Sequence, residues 1–235
     1  MTPTSTGNPI TLLSYNLWQG RAQLELRHLV DAHDPDVLCV QEAAGSSLPG
    51  RLGSLQLAVG TSGNRLGVGL YVKASRFAVE EASSFQLSTS RHDRLIGGTG
   101  HRLVAARVAD VDAARDLVLG SFHGTPFTDS NGFRRVQVDD AHETLRRLGP
   151  NLPALMAGDY NHPILLGMLR RHIRRRGFTL AHTPGSTFHR EGSVMRGKFD
   201  LATMTGLTTI TAATLPQGAS DHRPVLFSLD YTATT

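Results

Sequence analysis

Short apolar stretches rich in β-branched residues alternate with only a few helical patterns along this sequence, and Gly, Pro, Asn or Asp closes each stretch. This spacing predicts a strand-rich α/β fold, because turn residues interrupt each strand at an ordinary strand length. The chain opens with a strand at Ile10–Asn16, a helix at 21–33 that Asp34-Pro35 ends, and a second strand at 37–42. The order predicts a β-α-β unit at the start of the fold.

The rest of the chain predicts two more helices and a series of strands. Segment 133–148 has apolar residues on one face and ends at Gly149-Pro150, and the basic segment 164–176 predicts another helix. Apolar segments predict strands at 55–60, 66–72, 77–85, 101–108, 116–123, 154–159, 199–203, 207–214 and 224–229. Where Gly-containing turns join neighbouring strands, we expect antiparallel pairing.

Length and composition are typical of one soluble globular domain. The 235 residues are 40% hydrophobic and 19% charged, and no apolar run approaches the ~18 residues that cross a bilayer. We expect a flexible N-terminal tail at 1–9, a single domain at 10–235, a monomer, and no membrane partner. Cys39 is the only cysteine and lies in an apolar stretch, so we expect no internal disulfide, a buried strand position and a cytoplasmic location.

The charge balance permits a polyanionic partner without requiring one. The net charge is +4, and arginine supplies nearly all of the positive charge, with lysine only at Lys73 and Lys198. Codon composition explains this excess of arginine over lysine equally well. Segment 170–176 carries five arginines and either contacts a nucleic-acid backbone or forms a solvated helix face.

Polar side chains recur at the ends of predicted strands, at Asn16, Glu42, His123 and Asp159. A single polar residue at a strand end usually begins a turn. The recurrence instead predicts one crevice in which these side chains converge on a ligand, because strand ends of α/β folds gather at one edge. Magnesium prefers carboxylate and amide oxygens, and Glu42 is the first candidate ligand.

Six motifs occur in a fixed order along nearly the whole chain: Ser14-Tyr15-Asn16-Leu17-Trp18, Gln41-Glu42, Ser121-Phe122-His123, Gly158-Asp159-Tyr160-Asn161, Lys198-Phe199-Asp200 and Ser220-Asp221-His222-Arg223-Pro224. The ordered set resembles the endonuclease/exonuclease/phosphatase superfamily, which has the DNase I-like fold. The resemblance implies a four-layer α/β/β/α sandwich of mixed sheets with its site at one sheet edge. It also implies a divalent metal, usually Mg²⁺, with Mn²⁺ as a substitute.

The same resemblance implies a role for each motif residue. Asp159 would orient or deprotonate the attacking water, Asn161 would hold the phosphate or a metal, and His123 would donate to a nonbridging oxygen. His222 would contact the phosphate or act as a base. The implied metal ligands are Asn16, through its amide oxygen or a metal-bound water, Glu42, Asp200 and Asp221. Which carboxylate orients His222 stays open, although strand alternation favours Asp200 and turns Gln41 away from the site as scaffold.

Three further residues are candidates for substrate binding: Trp18, Arg134 and His162. Packing is the alternative explanation for Trp18. The expected reaction is hydrolysis of a phosphodiester in nucleic acid, by an endo- or exonuclease. A small-molecule phosphomonoesterase or a lipid phosphodiesterase is the alternative. An inactive binding module would have lost a core motif residue, and none is missing. The segment between Glu42 and His123 has no long insertion, which leaves duplex specificity open.

Overall fold

The computed structural model describes residues 8–43, 48–61, 67–89, 100–126, 129–162, 164–190, 192 and 196–232. The helices in these ranges are α1 Glu25–His33, α2 Asn131–Leu148 and α3 Leu166–Arg175. The strands are β1 Ile10–Asn16, β2 Val37–Ala43, β3 Arg51–Leu52, β4 Leu55–Gly60, β5 Gly67–Lys73, β6 Phe77–Gln86, β7 His101–Asp110, β8 Arg115–His123, β9 Ala154–Asp159, β10 Thr179–Ala181, β11 Phe188–His189, β12 Arg196–Gly197, β13 Asp200–Thr205, β14 Leu207–Thr214 and β15 Val225–Tyr231.

The strands form two large mixed sheets and one small hairpin-like pair. The first sheet has the order β14-β15-β1-β2-β5-β4-β3, and the second has the order β10-β13-β9-β8-β7-β6. β1 and β2 are parallel and α1 joins them, which confirms the β-α-β unit. β8 and β9 are also parallel, with α2 between them in the chain. The short strands β11 and β12 pair antiparallel beside the large sheets.

Three apolar clusters define four layers. Between the sheets, residues such as Leu12, Cys39 and Leu155 form one buried core. Helix α1 covers the outer face of the first sheet, and helices α2 and α3 cover the outer face of the second through side chains such as Leu145 and Ile173. The α/β/β/α sandwich implied by the sequence is therefore confirmed. The buried strand position expected for Cys39 is confirmed as well.

Helix ends differ from the predicted ones where the backbone is left-handed. Helix α1 begins at Glu25 rather than 21, because residues 18–24 form turns and Trp18 has a φ of 47°. Helix α3 begins at Leu166 rather than 164, since Leu165 has a φ of 61° and cannot belong to a right-handed helix. Strands β3, β10, β11 and β12 were not predicted, because two or three residues give no periodic signal.

Of the tail predicted at 1–9, residues 1–7 lie outside the described residues. The carbonyl oxygens of Asn8 and Pro9 accept hydrogen bonds of 2.8 Å from the guanidinium of Arg76. Residues 8 and 9 are thus held at the buried guanidinium, which needs acceptors, while the flexibility of the tail before them stays a prediction. Among the described helices, none combines the length and the apolar character that crossing a bilayer requires.

Candidate active site

The strand ends that carry the sequence motifs meet at one edge of the two sheets. The parallel register of β1 and β2 pairs Asn16 with Gln41, and that of β8 and β9 pairs His123 with Asp159. Asp200 lies opposite Asp159 in the antiparallel pair of β13 and β9. Because parallel strands end at the same edge, residues far apart in sequence become neighbours here.

Glu42, His123 and Asp159 form a compact cluster at this edge. Their carboxylate and imidazole ligand atoms all lie within 4.8 Å of one another. His123 Nε2 is 3.6 Å from Glu42 Oε1 and 3.9 Å from Asp159 Oδ2. These separations exceed hydrogen-bond length, so the three groups face a common space without bonding to each other.

Both polar atoms of the Asn16 amide are held by hydrogen bonds. Its Oδ1 accepts a hydrogen bond from the Trp18 backbone N–H at 3.0 Å. Its Nδ2 donates to Asp159 Oδ2 at 3.0 Å and to Glu42 Oε1 at 3.4 Å. A backbone N–H only donates, so the amide oxygen is the atom that faces it. The Asn16 amide therefore holds the two carboxylates in place, and its predicted contact with a metal or a metal-bound water stays a prediction.

His222 is oriented by Asp200 and enclosed by aromatic rings. Its Nδ1 donates to Asp200 Oδ2 at 2.8 Å, which leaves Nε2 3.7 Å from Asp159 Oδ2. The rings of Phe188 and Phe199 contact the imidazole edge-on, with centroid separations of 5.1 and 6.0 Å. The imidazole is therefore fixed in position, with one nitrogen directed toward the cluster.

Burial dominates the electrostatics of the site. It raises the pKa of Glu42 and that of Asp159, although the charge of His222 opposes both shifts. Burial alone would lower the pKa of His222, but Asp200 and Asp159 outweigh it and raise the pKa to about 10. Burial lowers the pKa of His123 well below its ordinary value. At neutral pH the site therefore pairs a protonated His222 with a neutral His123.

The turn that carries Asp159 and Asn161 is held by its own backbone. Asp159 Oδ1 accepts from the Asn161 N–H at 2.8 Å, and Asn161 Nδ2 donates to the Gly124 carbonyl at 3.1 Å. Gly158 has a φ of 152°, and a Cβ at this position would lie 1.9 Å from the Phe122 carbonyl oxygen. Only glycine allows β8 and β9 to approach this closely just before the catalytic turn.

Gln41 faces away from the cluster, as strand alternation predicts. Its side chain is buried between the sheets, where Nε2 donates to Ser121 Oγ at 3.0 Å and to Ser14 Oγ at 3.4 Å. Gln41 therefore links the two sheets directly beneath the site.

Glu42 has a left-handed φ of 52° at an irregularity in the pairing of β2 with β5. Backbone strain of this kind recurs at functional sites.

A pocket of about 260 Å³ opens onto the cluster. Trp18, which was predicted to bind substrate, forms part of its wall, and its ring lies 3.8 Å from the Arg21 guanidinium and 5.7 Å from that of Arg190. Sequence reasoning missed Phe188 and Arg190 in this wall. Phe188 begins the two-residue strand β11 and Arg190 directly follows it, and a strand this short gives no recognisable pattern. The two residues reach the pocket because Phe188 pairs with His222.

Four predicted positions have different surroundings from those expected. The buried Arg134 guanidinium donates to the Pro126 carbonyl at 2.9 Å and to Asn131 Oδ1 at 2.6 Å. Acceptors within the chain therefore already use two of its hydrogen-bond donors. His162 is 1% exposed and lies outside the pocket wall, and burial lowers its pKa to about 4. Both side chains are buried, and their predicted contact with a substrate stays a prediction. Asp200 bonds to His222, while Asp221 lines the pocket outside the cluster of Glu42, His123 and Asp159, and their predicted roles as metal ligands stay predictions as well.

The sequence matches a family model described as Endonuclease/Exonuclease/phosphatase family over residues 13–222. The chain belongs to this family. The matched span runs from β1 to His222, so of the six motifs only Arg223 and Pro224, the last two residues of the sixth, lie outside it. No curated protein matches the sequence.

Solved structures share the fold at low sequence identity. An endonuclease/exonuclease/phosphatase family protein from Bacteroides thetaiotaomicron superposes with a TM-score of 0.77 at 15% identity, covering 97% of this chain and 100% of that chain. D. rerio TDP2 complexed with a single strand DNA product gives 0.74 at 15% identity, covering 95% and 99%. A mannosyl-6-phosphatase from B. thetaiotaomicron gives 0.72 at 16% identity, covering 94% and 100%.

Endonuclease/Exonuclease/phosphatase family members are phosphoester hydrolases that generally depend on a divalent metal. The cluster in this chain suits such a cation. Two adjacent carboxylates, Glu42 and Asp159, are costly to charge when buried, and a cation relieves that cost. Carboxylate oxygens are ligands that Mg²⁺ prefers, whereas the nitrogen of His123 suits it less well. The two carboxylates are therefore the donors that fit.

Proposed function

We propose that this chain is an Mg²⁺-dependent phosphodiesterase that cleaves nucleic-acid strands. The observation that carries the proposal is the convergence of Glu42 and Asp159 with His222, whose Nε2 lies 3.7 Å from Asp159 Oδ2, in the wall of one pocket. Phosphodiester hydrolysis needs an oriented water, neutralised phosphate charge and a proton for the leaving oxygen. The groups in this pocket match those three needs.

Each residue has a defined part in the proposed reaction. Glu42 and Asp159 would hold the cation, which would neutralise the negative charge of the phosphate when bound. Asp159 also orients the attacking water, because Asn16 and the Asn161 N–H fix its two oxygens at 3.0 and 2.8 Å. The new P–O bond forms to this water, whose proton passes to the Asp159 carboxylate, while the bond to the leaving oxygen breaks.

His222 and His123 act on the phosphate in different protonation states. His222 donates from Nε2 to the phosphate or to the departing oxygen, and Asp200 retains the Nδ1 proton at 2.8 Å. His123 is neutral and interacts with a nonbridging oxygen without adding charge. Asn161 lines the same pocket and contacts the phosphate from the Gly158 turn.

Charge and the pocket mouth support nucleic acid as the substrate. The net charge of +4 favours a polyanion. Trp18 offers an aromatic surface on which a base can stack, with Arg190 beside it. A neighbour of the same fold, D. rerio TDP2, has been crystallised with single-stranded DNA.

A small phosphorylated molecule is the second candidate substrate. The pocket volume of about 260 Å³ would accommodate a sugar phosphate, and one neighbour of the same fold is a mannosyl-6-phosphatase. In that case the product would be inorganic phosphate rather than a shortened strand.

A substrate panel separates these readings. Purified protein is incubated with single-stranded DNA, plasmid, RNA, an aryl phosphodiester and sugar phosphates, with Mg²⁺ or Mn²⁺. We expect strand cleavage that Asp159→Asn abolishes and that Asp31→Asn, a matched change at an exposed position on α1, retains. Release of phosphate from monoesters without strand cleavage would establish the phosphatase instead. Absence of hydrolysis of every substrate would indicate a binding module.

A further inference from the structure

A basic groove lies between α2 and α3 on the outer face of the second sheet. It has a volume of about 270 Å³, and its walls are formed by Arg135, Met168, Arg171, His172 and Arg175. None of these residues lines the active-site pocket. No carboxylate is present in its walls, as far as the described residues show.

The positive charge of this groove is not neutralised. Arg171 and Arg175 are exposed, and neither they nor Arg135 form an ion pair within the described ranges. The nearby carboxylate of Asp139 is already engaged, with His172 at 2.9 Å and with Arg176 at 2.8 Å. Three guanidinium groups therefore face the groove with their donors available.

Helix stability accounts for only one of these arginines. Arg175 lies in the last turn of α3, where the helix dipole favours a cation, but Arg171 and Arg135 lie outside the terminal turns that the dipole stabilises. Arg171 and Arg175 are also four residues apart in α3, where two like charges disfavour a helix by roughly 0.2–0.5 kcal/mol. The apolar face of α3, through Leu169 and Ile173, is buried in the core. Neither core packing nor helix stability therefore explains why three arginines gather at this groove.

Both helices begin beside the active-site pocket. Asn161 lines the pocket and α3 starts at Leu166, a few residues later. Arg134 of α2 donates to the carbonyl of Pro126, another residue of the pocket wall, and Arg135 is the next residue. The ten residues of α3 extend for about 15 Å, and phosphates of one DNA strand rise by roughly 3.4 Å each, so α3 spans about four phosphates.

We propose that this groove binds the phosphate backbone of a nucleic-acid strand, a few nucleotides away from the phosphodiester that occupies the active site. The inference rests on the proposed function and names its substrate class, since a small phosphoester would not reach both sites. Planar guanidinium groups bind phosphate oxygens in a bidentate manner, and Met168 offers an apolar contact to a base. The groove would therefore favour long substrates over short ones.

Binding is tested in the Asp159→Asn background, so that hydrolysis does not interfere. Fluorescence anisotropy measures the affinity of labelled single-stranded and duplex 20-nucleotide probes over a salt series. Relative to that background, Arg171→Ala/Arg175→Ala should bind single strands roughly tenfold more weakly, and its log–log salt dependence should be shallower by about 1.4. The matched control Arg27→Ala/Arg51→Ala removes the same charge from exposed positions on α1 and β3 and should bind like the background.

Turnover separates failure of this inference from failure of the proposed function. With an otherwise wild-type chain, Arg171→Ala/Arg175→Ala should raise KM for an oligonucleotide roughly tenfold and leave hydrolysis of an aryl phosphodiester unchanged. Equal oligonucleotide affinity and KM in the variant and the control would overturn the groove while leaving the hydrolase intact. Loss of binding to phosphatidylserine vesicles with oligonucleotide affinity retained would assign the groove to a lipid surface and also overturn the inference.

Discussion

Replacing Gly158 by alanine perturbs the point at which the second sheet positions the site. The added Cβ would lie 1.9 Å from the Phe122 carbonyl oxygen, whereas real Cβ contacts stay above 3.0 Å. Strands β8 and β9 would have to separate by about 1 Å to remove the clash. These strands carry His123 and Asp159, so the same movement displaces two groups of the cluster.

The expected magnitude follows from two contributions. Overpacking of a rigid backbone costs about 1–3 kcal/mol, and a residue other than glycine at a φ of 152° costs about 1–3 kcal/mol more. We therefore expect a loss of about 4 kcal/mol, which lowers the Tm of a chain this long by roughly 8–16 °C. Protein that still folds should hydrolyse an aryl phosphodiester at least roughly 100-fold more slowly, since a displacement of about 1 Å has that effect on catalysis.

Thermal unfolding and initial rates of Gly158→Ala and Gly167→Ala test this reasoning. Gly167 lies in α3, where an added Cβ meets nothing within 4 Å. Gly167→Ala should keep wild-type turnover and gain up to about 1 kcal/mol of stability from helix propensity. A Gly158→Ala protein with wild-type Tm and turnover would refute the steric account of the motif.

Three further predictions concern single side chains. Asp200→Asn should lower kcat by roughly 100-fold or more with little change in KM, because His222 loses its orienting carboxylate. Steady-state kinetics measure both constants, and an unchanged kcat would contradict this role of Asp200. Trp18→Ala should raise KM for an oligonucleotide about tenfold through lost stacking, with Trp18→Phe retaining most of the affinity; equal KM in both would exclude stacking. Burial lowers the pKa of His142 in the folded protein to about 3, whereas the unfolded chain keeps the ordinary value of 6.5. Below pH 6.5 only the unfolded state binds a proton at this imidazole, so the free energy of unfolding falls as pH decreases. Between about pH 7 and about pH 4.5, urea unfolding should show the wild type losing about 3 kcal/mol more than His142→Gln, and equal losses would disprove the linkage.

Much of the site was predictable because it depends on strand ends. Asp159 and His123 end strands that the sequence marks clearly, and a parallel sheet brings such ends together. The order of the motifs then identified Asp200 and His222 as parts of the same site. Strand alternation also predicted correctly that Gln41 faces away from the cluster.

The parts that could not be predicted depend on contacts between distant segments. The Asn16 amide is turned by the backbone N–H of Trp18, which a left-handed turn places beside it. Arg134 is basic and close to the motifs in sequence, yet Pro126 and Asn131 accept its hydrogen bonds. Arg190 reaches the pocket through a two-residue strand that has no periodicity. Sequence patterns record neither side-chain orientation nor such short pairings.

The central claim is that a divalent cation held by Glu42 and Asp159 enables phosphoester hydrolysis at this pocket. The most direct test is the rate of aryl phosphodiester hydrolysis by chelator-treated wild type and Glu42→Gln during titration with Mg²⁺. We expect no hydrolysis in chelator, full recovery of the wild type with Mg²⁺, and a Glu42→Gln rate at least roughly 100-fold lower at every concentration. Hydrolysis that persists in chelator, or a Glu42→Gln titration that coincides with the wild type, would contradict the account.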